Sequence, residues 1–86
     1  MKLEGKVALI FGASSGIGEG AAKAIAKESP KAIVISARRR HLLEEIAKSI
    51  RGDYGVEALP IEADVTKPED LDRVFKEAMT KFGRID

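Results

Sequence analysis

Val7-Ala8-Leu9-Ile10-Phe11-Gly12-Ala13-Ser14-Ser15-Gly16-Ile17-Gly18 is the stretch that decides the fold. Its first five residues form an unbroken apolar run, too short for periodicity alone to type. Its length and β-branched content predict a strand buried on both faces, as in a parallel sheet. Gly12 to Gly16 reads as a tight loop. Beyond it Ile17, Ala21, Ala22, Ile25 and Ala26 recur at helical spacing, and Pro30 follows soon after. The order is strand, glycine loop, helix.

Working outward, Ala32-Ile33-Val34-Ile35-Ser36 predicts a second strand, followed by the basic segment Arg38-Arg39-Arg40. Leu42, Leu43, Ile46, Ala47 and Ile50 make a helical stripe expected to end at Gly52, with Glu44 and Lys48 four apart on the other face. A third strand lies within Val56 to Val65, with Pro60 at its end or on an edge. Thr66-Lys67-Pro68-Glu69 has capping-box spacing, Thr66 as cap and Glu69 reaching back. Leu71, Val74, Phe75, Ala78, Met79 and Phe82 form an apolar helix face, and Gly83 is its stop. Ile85-Asp86 reads as the start of a further strand. The alternation βαβαβα predicts one domain over 1–86: a doubly wound parallel α/β sheet, strand order 3-2-1, with right-handed crossovers. The three helical stripes are core faces packed on that sheet.

Composition narrows the function classes. The chain has 86 residues, with 15 Lys+Arg against 14 Asp+Glu, a net charge of +1. That balance gives no case for nucleic-acid or membrane attraction. There are no cysteines, which removes disulfides and thiolate metal sites and fits a reducing, cytoplasmic setting. No other motif supplies metal ligands at a usable spacing. The first six residues are too polar for a signal-peptide core, and Val7 to Phe11 is too short to cross a bilayer.

Gly12, Gly16 and Gly18 are spaced G-x-x-x-G-x-G between a strand and a helix. A pyrophosphate is received by the free N–H groups and dipole of a helix N-terminus, and glycine lets the backbone approach it closely. Gly12 turns sharply out of the strand, and Gly18 lets the helix lie close to the sheet. Ser14 and Ser15 add hydroxyl donors. Glycines serving only tight packing are the plainer explanation, but the strand-loop-helix context favours a dinucleotide site. A P-loop is excluded by the missing Lys-Ser/Thr after the final glycine.

Gly5 to Gly18 resembles the opening of a short-chain dehydrogenase/reductase, and the resemblance extends over essentially the whole chain, including Asp64-Val65-Thr66. It implies a Rossmann-type sheet, here truncated before its fourth strand. The family usually carries Thr before the first glycine. Phe11 stands there, so that threonine's local hydrogen bond is missing.

The family resemblance also implies a cofactor. An acidic residue about twenty positions after Gly18 would bind the adenosine ribose of NAD and repel a 2′-phosphate. Ala37 occupies that position, and Arg38 follows, suited to charge-assisted bonds to a 2′-phosphate. NADP is therefore expected over NAD. Arg39 either joins Arg38 or decorates a solvated loop, and Arg40 belongs to the loop. Ser15 stands where some NADP-binding relatives carry a second basic anchor. Asp64 resembles the residue that accepts from the adenine amine, and Val65 the one that packs on the ring. The plainer role for Asp64 is helix entry beside Thr66.

The family's catalytic Tyr and the Lys four residues later, with a Ser and a supporting Asn, have no counterpart. Tyr54 is the only tyrosine, Ala58 stands four residues on, and Tyr54 precedes the third strand, at the wrong end of the sheet. His41 is expected to be exposed and inert. Asn-Asn-Ala-Gly, which the resemblance implies after a fourth strand, is absent. Two readings result. The chain is the N-terminal part of an NADP-dependent oxidoreductase, inactive alone, or a stand-alone, non-catalytic nucleotide-binding or structural half-fold. In either case its first strand would be a bare edge, so self-association or pairing with the missing remainder is expected.

Overall fold

The computed structural model describes residues 3–12 and 16–86, apart from the side chain of Ile17. Six elements alternate: β1 (Val7–Phe11), α1 (Gly16–Ala26), β2 (Ala32–Ala37), α2 (Arg40–Tyr54), β3 (Glu57–Glu62) and α3 (Pro68–Phe82). The strands are all parallel, in the order β1-β2-β3, with Val7 beside Ala32 and Ala32 beside Glu57. This is the expected 3-2-1 order.

β2 is central, and all six of its residues are buried. Its side chains alternate between two layers. Ile33, Ile35 and Ala37 meet Ala22 and Ala26 of α1 and Leu43, Ile46, Ala47 and Ile50 of α2. Ala32 and Val34 meet Val74, Ala78 and Phe82 of α3 on the opposite face. Ile33, Ile35, Leu43 and Ile50 are fully buried, each worth about 1.5–3 kcal/mol. Ser36 is buried as well, and its hydroxyl has no hydrogen-bond partner among the described residues, a desolvation cost of about 1–3 kcal/mol that the surrounding packing offsets.

Several local expectations change. β2 runs one residue further, to Ala37. α2 does not stop at Gly52 but continues to Tyr54. The stop is Gly55, whose φ of 66° is the left-handed conformation, with its N–H donating to the Arg51 carbonyl. The capping box does not form. Pro68, with its pre-set φ, takes the first helical position, so the N-cap is Lys67 rather than Thr66. The Thr66 hydroxyl instead donates to Asp64 Oδ1. The α3 face is also narrower than its sequence suggests. Val74, Ala78 and Phe82 are buried and Leu71 half-buried, while Phe75 and Met79 remain 43% and 48% exposed on the β1 side.

The two sheet edges differ. On β3 the outward groups belong to Ala58, Pro60 and Glu62. Arg51 Nη1 donates to the Ala58 carbonyl at 2.8 Å, and Arg73 Nη2 to the Glu62 carbonyl at 2.6 Å. Pro60 between them has no N–H to offer. Guanidinium groups and a proline thus close this edge. On β1, Val7 is occupied: its N–H donates to Asp86 Oδ2 and its carbonyl accepts from the Asp86 N–H, both at 2.8 Å. Asp86 therefore lies where a strand beside β1 would start.

Arg84 donates to both Asp86 carboxylate oxygens, at 2.8 and 2.6 Å. Arg84 and the Val7 N–H hold the Asp86 pKa down, to about 2. A carboxyl whose folded pKa is depressed contributes stability above its unfolded pKa and loses it as pH falls toward the folded value. An Asp86→Asn variant is therefore expected to melt below the wild type at pH 6. That gap should close as pH falls from about 4 to about 2. Thermal melts of both proteins across that range are the check. A gap constant with pH would mean that the Asp86 charge contributes nothing.

Candidate cofactor-binding site

The parallel register brings three chain segments to one end of the sheet. The Gly12 N–H donates to the Ser36 carbonyl at 2.7 Å, and the Ala63 N–H to the Ala37 carbonyl at 2.9 Å. Gly12, Ala37-Arg38 and Asp64 consequently line up outside the carboxyl ends of β1, β2 and β3. In open α/β sheets that crevice is where ligands bind.

Gly12 has φ 73°, which L side chains rarely adopt, and this conformation turns the chain out of β1. α1 begins at Gly16, so the positive end of its dipole lies at the same end. A Cβ placed on Gly12 or Gly16 would meet nothing within 4 Å among the described residues. Packing therefore does not explain these two glycines, and the open space suits a phosphate brought close to the backbone. Gly18 is buried in α1, as its predicted packing role requires. Ser14, Ser15 and the side chain of Ile17, also predicted phosphate-site members, lie outside the described residues.

Ala37 is 6% exposed and forms a flat wall at the end of β2. Arg38 and Arg39 beyond it are exposed, and neither forms an ion pair among the described residues. Arg39 is the N-cap of α2 through its backbone, without a side-chain cap. Arg40 is occupied differently, with Nε 2.9 Å from Glu44 Oε1 one turn along. The two arginines left for an anion are those that follow the vacant acidic position.

Across from them is a cleft of about 320 Å³ lined by Arg38, Glu62, Ala63, Asp64, Asp70 and Arg73. Asp64 is held from two sides. Its Oδ1 accepts from the Thr66 N–H at 2.9 Å and the Thr66 hydroxyl at 2.7 Å. Its own N–H donates to Asp70 Oδ2 at 2.8 Å. The Thr66 bonds, with smaller contributions from the Arg38 and Lys67 charges, lower the Asp64 pKa and keep the group ionised. Its other oxygen, Oδ2, receives no donor among the described residues. Beside it Val65 is 50% exposed, an apolar side chain next to an acceptor. That pairing fits a flat heterocycle carrying an amine. The two expected roles for Asp64 use different atoms: Oδ1 orders the helix entry, and Oδ2 is left without a donor among the described residues. Asp70 was not among the residues singled out from sequence, because the expected capping box placed the reaching carboxylate at Glu69.

A larger groove, about 740 Å³, runs along the outer side of β3 and α3 past Pro60, Lys76 and Thr80. It shares Glu62 and Arg73 with the smaller cleft and extends from there along α3. Tyr54 is half-buried against the α1–α2 core at the amino end of β3, the opposite end of the sheet from Gly12. No cluster of three or more potential metal ligands occurs among the described residues, and no helix among them is long and apolar enough to cross a membrane.

Comparison with known proteins gives the same picture. The NADP-dependent 3-hydroxy acid dehydrogenase of Schizosaccharomyces pombe is 40% identical over 85 residues, 99% of this chain but 33% of that protein. L-sorbose reductase of Gluconobacter frateurii, solved with NADPH and L-sorbose, superposes with a TM-score of 0.93 at 41% identity, covering 99% of this chain and 32% of that one. An NAD⁺-bound xylitol dehydrogenase superposes with a TM-score of 0.92 at 36% identity, covering 100% of this chain and 32% of that one. The chain thus spans about a third of the length of these relatives. The family model for short chain dehydrogenases matches residues 6–86, and with the sheet order and glycine turn described above this chain belongs to the short-chain dehydrogenase family.

Proposed function

We propose that residues 1–86 form the dinucleotide-binding part of an oxidoreductase that moves hydride between NADP(H) and a carbonyl or alcohol substrate. One observation carries the choice of NADP: the flat, uncharged Ala37 is followed at the carboxyl end of β2 by Arg38, which forms no ion pair among the described residues. Gly12, Ser14, Ser15, Gly16, Ile17 and Gly18 would receive the pyrophosphate. Ala37, Arg38 and Arg39 would receive the phosphorylated ribose, and Asp64 and Val65 the adenine. When bound, the cofactor would donate or accept hydride at its nicotinamide, while these residues would hold the other end of the molecule. The N-terminal-part reading is favoured over a stand-alone half-fold by relatives about three times as long. The lack of cysteine supports a cytoplasmic setting.

Calorimetric titration of the intact protein with NADP and NAD tests the cofactor, with tighter NADP binding expected. The segment 1–86 alone is expected to show no hydride transfer, since it carries no Tyr-x-x-x-Lys pair. Turnover by the purified segment would overturn that assignment.

A further inference from the structure

We propose that Asp70 is a positioning residue for the base-recognition pair Asp64-Val65, so that selectivity for adenine depends on how Asp70 holds the Asp64 backbone. The inference rests on the dinucleotide reading above. Asp70 is the third residue of α3, after Lys67 as cap and Pro68 and Glu69. Its Oδ2 accepts the Asp64 N–H at 2.8 Å, six residues back. Arg73, one turn further on, stands 3.7 Å from its other oxygen while donating to the Glu62 carbonyl at 2.6 Å. The end of β3, the turn carrying Asp64 and the first turn of α3 are thereby joined through one carboxylate.

The consequence for Asp64 is geometric. Its N–H is fixed by Asp70 and its Oδ1 by Thr66, so backbone and side chain are held at separate points. The direction of Oδ2 is then determined by the fold before any ligand arrives. A preorganised acceptor loses less on binding than one that must be ordered by the ligand. Without Asp70 the Asp64 N–H loses its partner, and the bonds left within the turn, from Thr66 to Asp64 Oδ1 and from the Lys67 N–H to the Asp64 carbonyl at 3.0 Å, travel with it. The turn could then rotate as a unit, and Val65 with it.

The test compares NADP with its hypoxanthine analogue, in which a keto group replaces the amine that Asp64 would bind. In the intact protein the wild type should favour NADP by about tenfold, the worth of one charge-assisted bond, and Asp64→Asn should lose most of that preference. Asp70→Ala is expected to lose it as well, with NADP binding weakened and analogue binding nearly unchanged. Asp70→Asn keeps an acceptor for the Asp64 N–H and should restore most of the preference. General destabilisation would weaken both ligands together and leave their ratio alone. If Asp70→Ala does not fold, Asp70→Ser, too short by one bond to reach the amide, serves in its place. An Asp70 variant that keeps the wild-type ratio while Asp64→Asn loses it would overturn the positioning role and leave the dinucleotide reading intact. A wild type that shows no preference, or binds neither ligand, would overturn the adenine assignment itself and the positioning role with it.

Discussion

Arg38→Ala is expected to weaken NADP binding about ten- to a hundredfold and to leave NAD binding nearly unchanged. The two cofactors differ only in the 2′-phosphate. A residue that reads that group must therefore affect one cofactor and not the other. Arg38 follows Ala37 directly, is exposed, and forms no ion pair among the described residues. Its guanidinium can meet phosphate oxygens with paired N–H donors, each charge-assisted bond worth about 1.5–3 kcal/mol. The site is open, so salt should erode the effect: at 1 M ionic strength the screening length is about 3 Å, against about 10 Å at 0.1 M. The wild-type preference for NADP should shrink in parallel. Arg38→Lys should keep the charge but lose the fork, falling between the two. Arg39→Ala is expected to cost less, because Arg39 is tied to α2 through its backbone as N-cap. Calorimetric titration with both cofactors at two salt concentrations is the check. Equal losses for NADP and NAD would mean that Arg38 contributes only to general attraction.

The parts of this molecule that could be read from sequence are those governed by local pattern. Val7–Phe11 was expected as a strand and is one, because five consecutive apolar residues before a glycine leave few other choices. The sheet order followed from strands alternating with amphipathic helices. Glycine conformation was harder. Gly52 was expected to end α2, but it sits inside the helix and Gly55 takes the positive φ. Both are plausible stops by composition. In the structure Tyr54 packs against the core, and the helix runs on past Gly52 to include it. The start of α3 shows the same limit at the site itself. Thr66 and Glu69 have the right spacing for a capping box, yet the fixed φ of Pro68 moves the cap to Lys67. That shift of one residue hands the backward-reaching carboxylate to Asp70. Sequence spacing therefore found Asp64 but not what holds it. The Arg51 and Arg73 bonds to β3 carbonyls were equally hidden, since they depend on which residues face the sheet edge.

The contrast between those edges leads to the second large effect, self-association of the segment 1–86 when it is made alone. β3 is closed by Arg51, Pro60 and Arg73. Among the described residues, β1 is covered only at Val7, by Asp86. Leu9 and Phe11 share the outward orientation of Val7, and among the described residues no proline, bulge or charge closes the edge beside them. Phe75 stacks edge-on against Phe11 at 6.2 Å between ring centres, yet remains 43% exposed, and Met79 beside it 48%. Edge bonds alone do not suffice. Each contributes a net of about 0.5–1.5 kcal/mol, against an association cost of about 4–15 kcal/mol. Burying the Phe75–Met79 face must supply the remainder, at about 25 cal/mol per Å². Association should consequently be weak and concentration-dependent, with the apparent mass rising from 9.3 kDa toward twice that value in sedimentation. Leu9→Lys places the kind of charge that natural edges carry on this strand, and should hold the segment at monomer mass while circular dichroism reports a retained fold. Met79→Lys should act in the same direction through the helix face. A folded wild-type segment that stays at 9.3 kDa at every concentration would show that the β1 edge needs no partner.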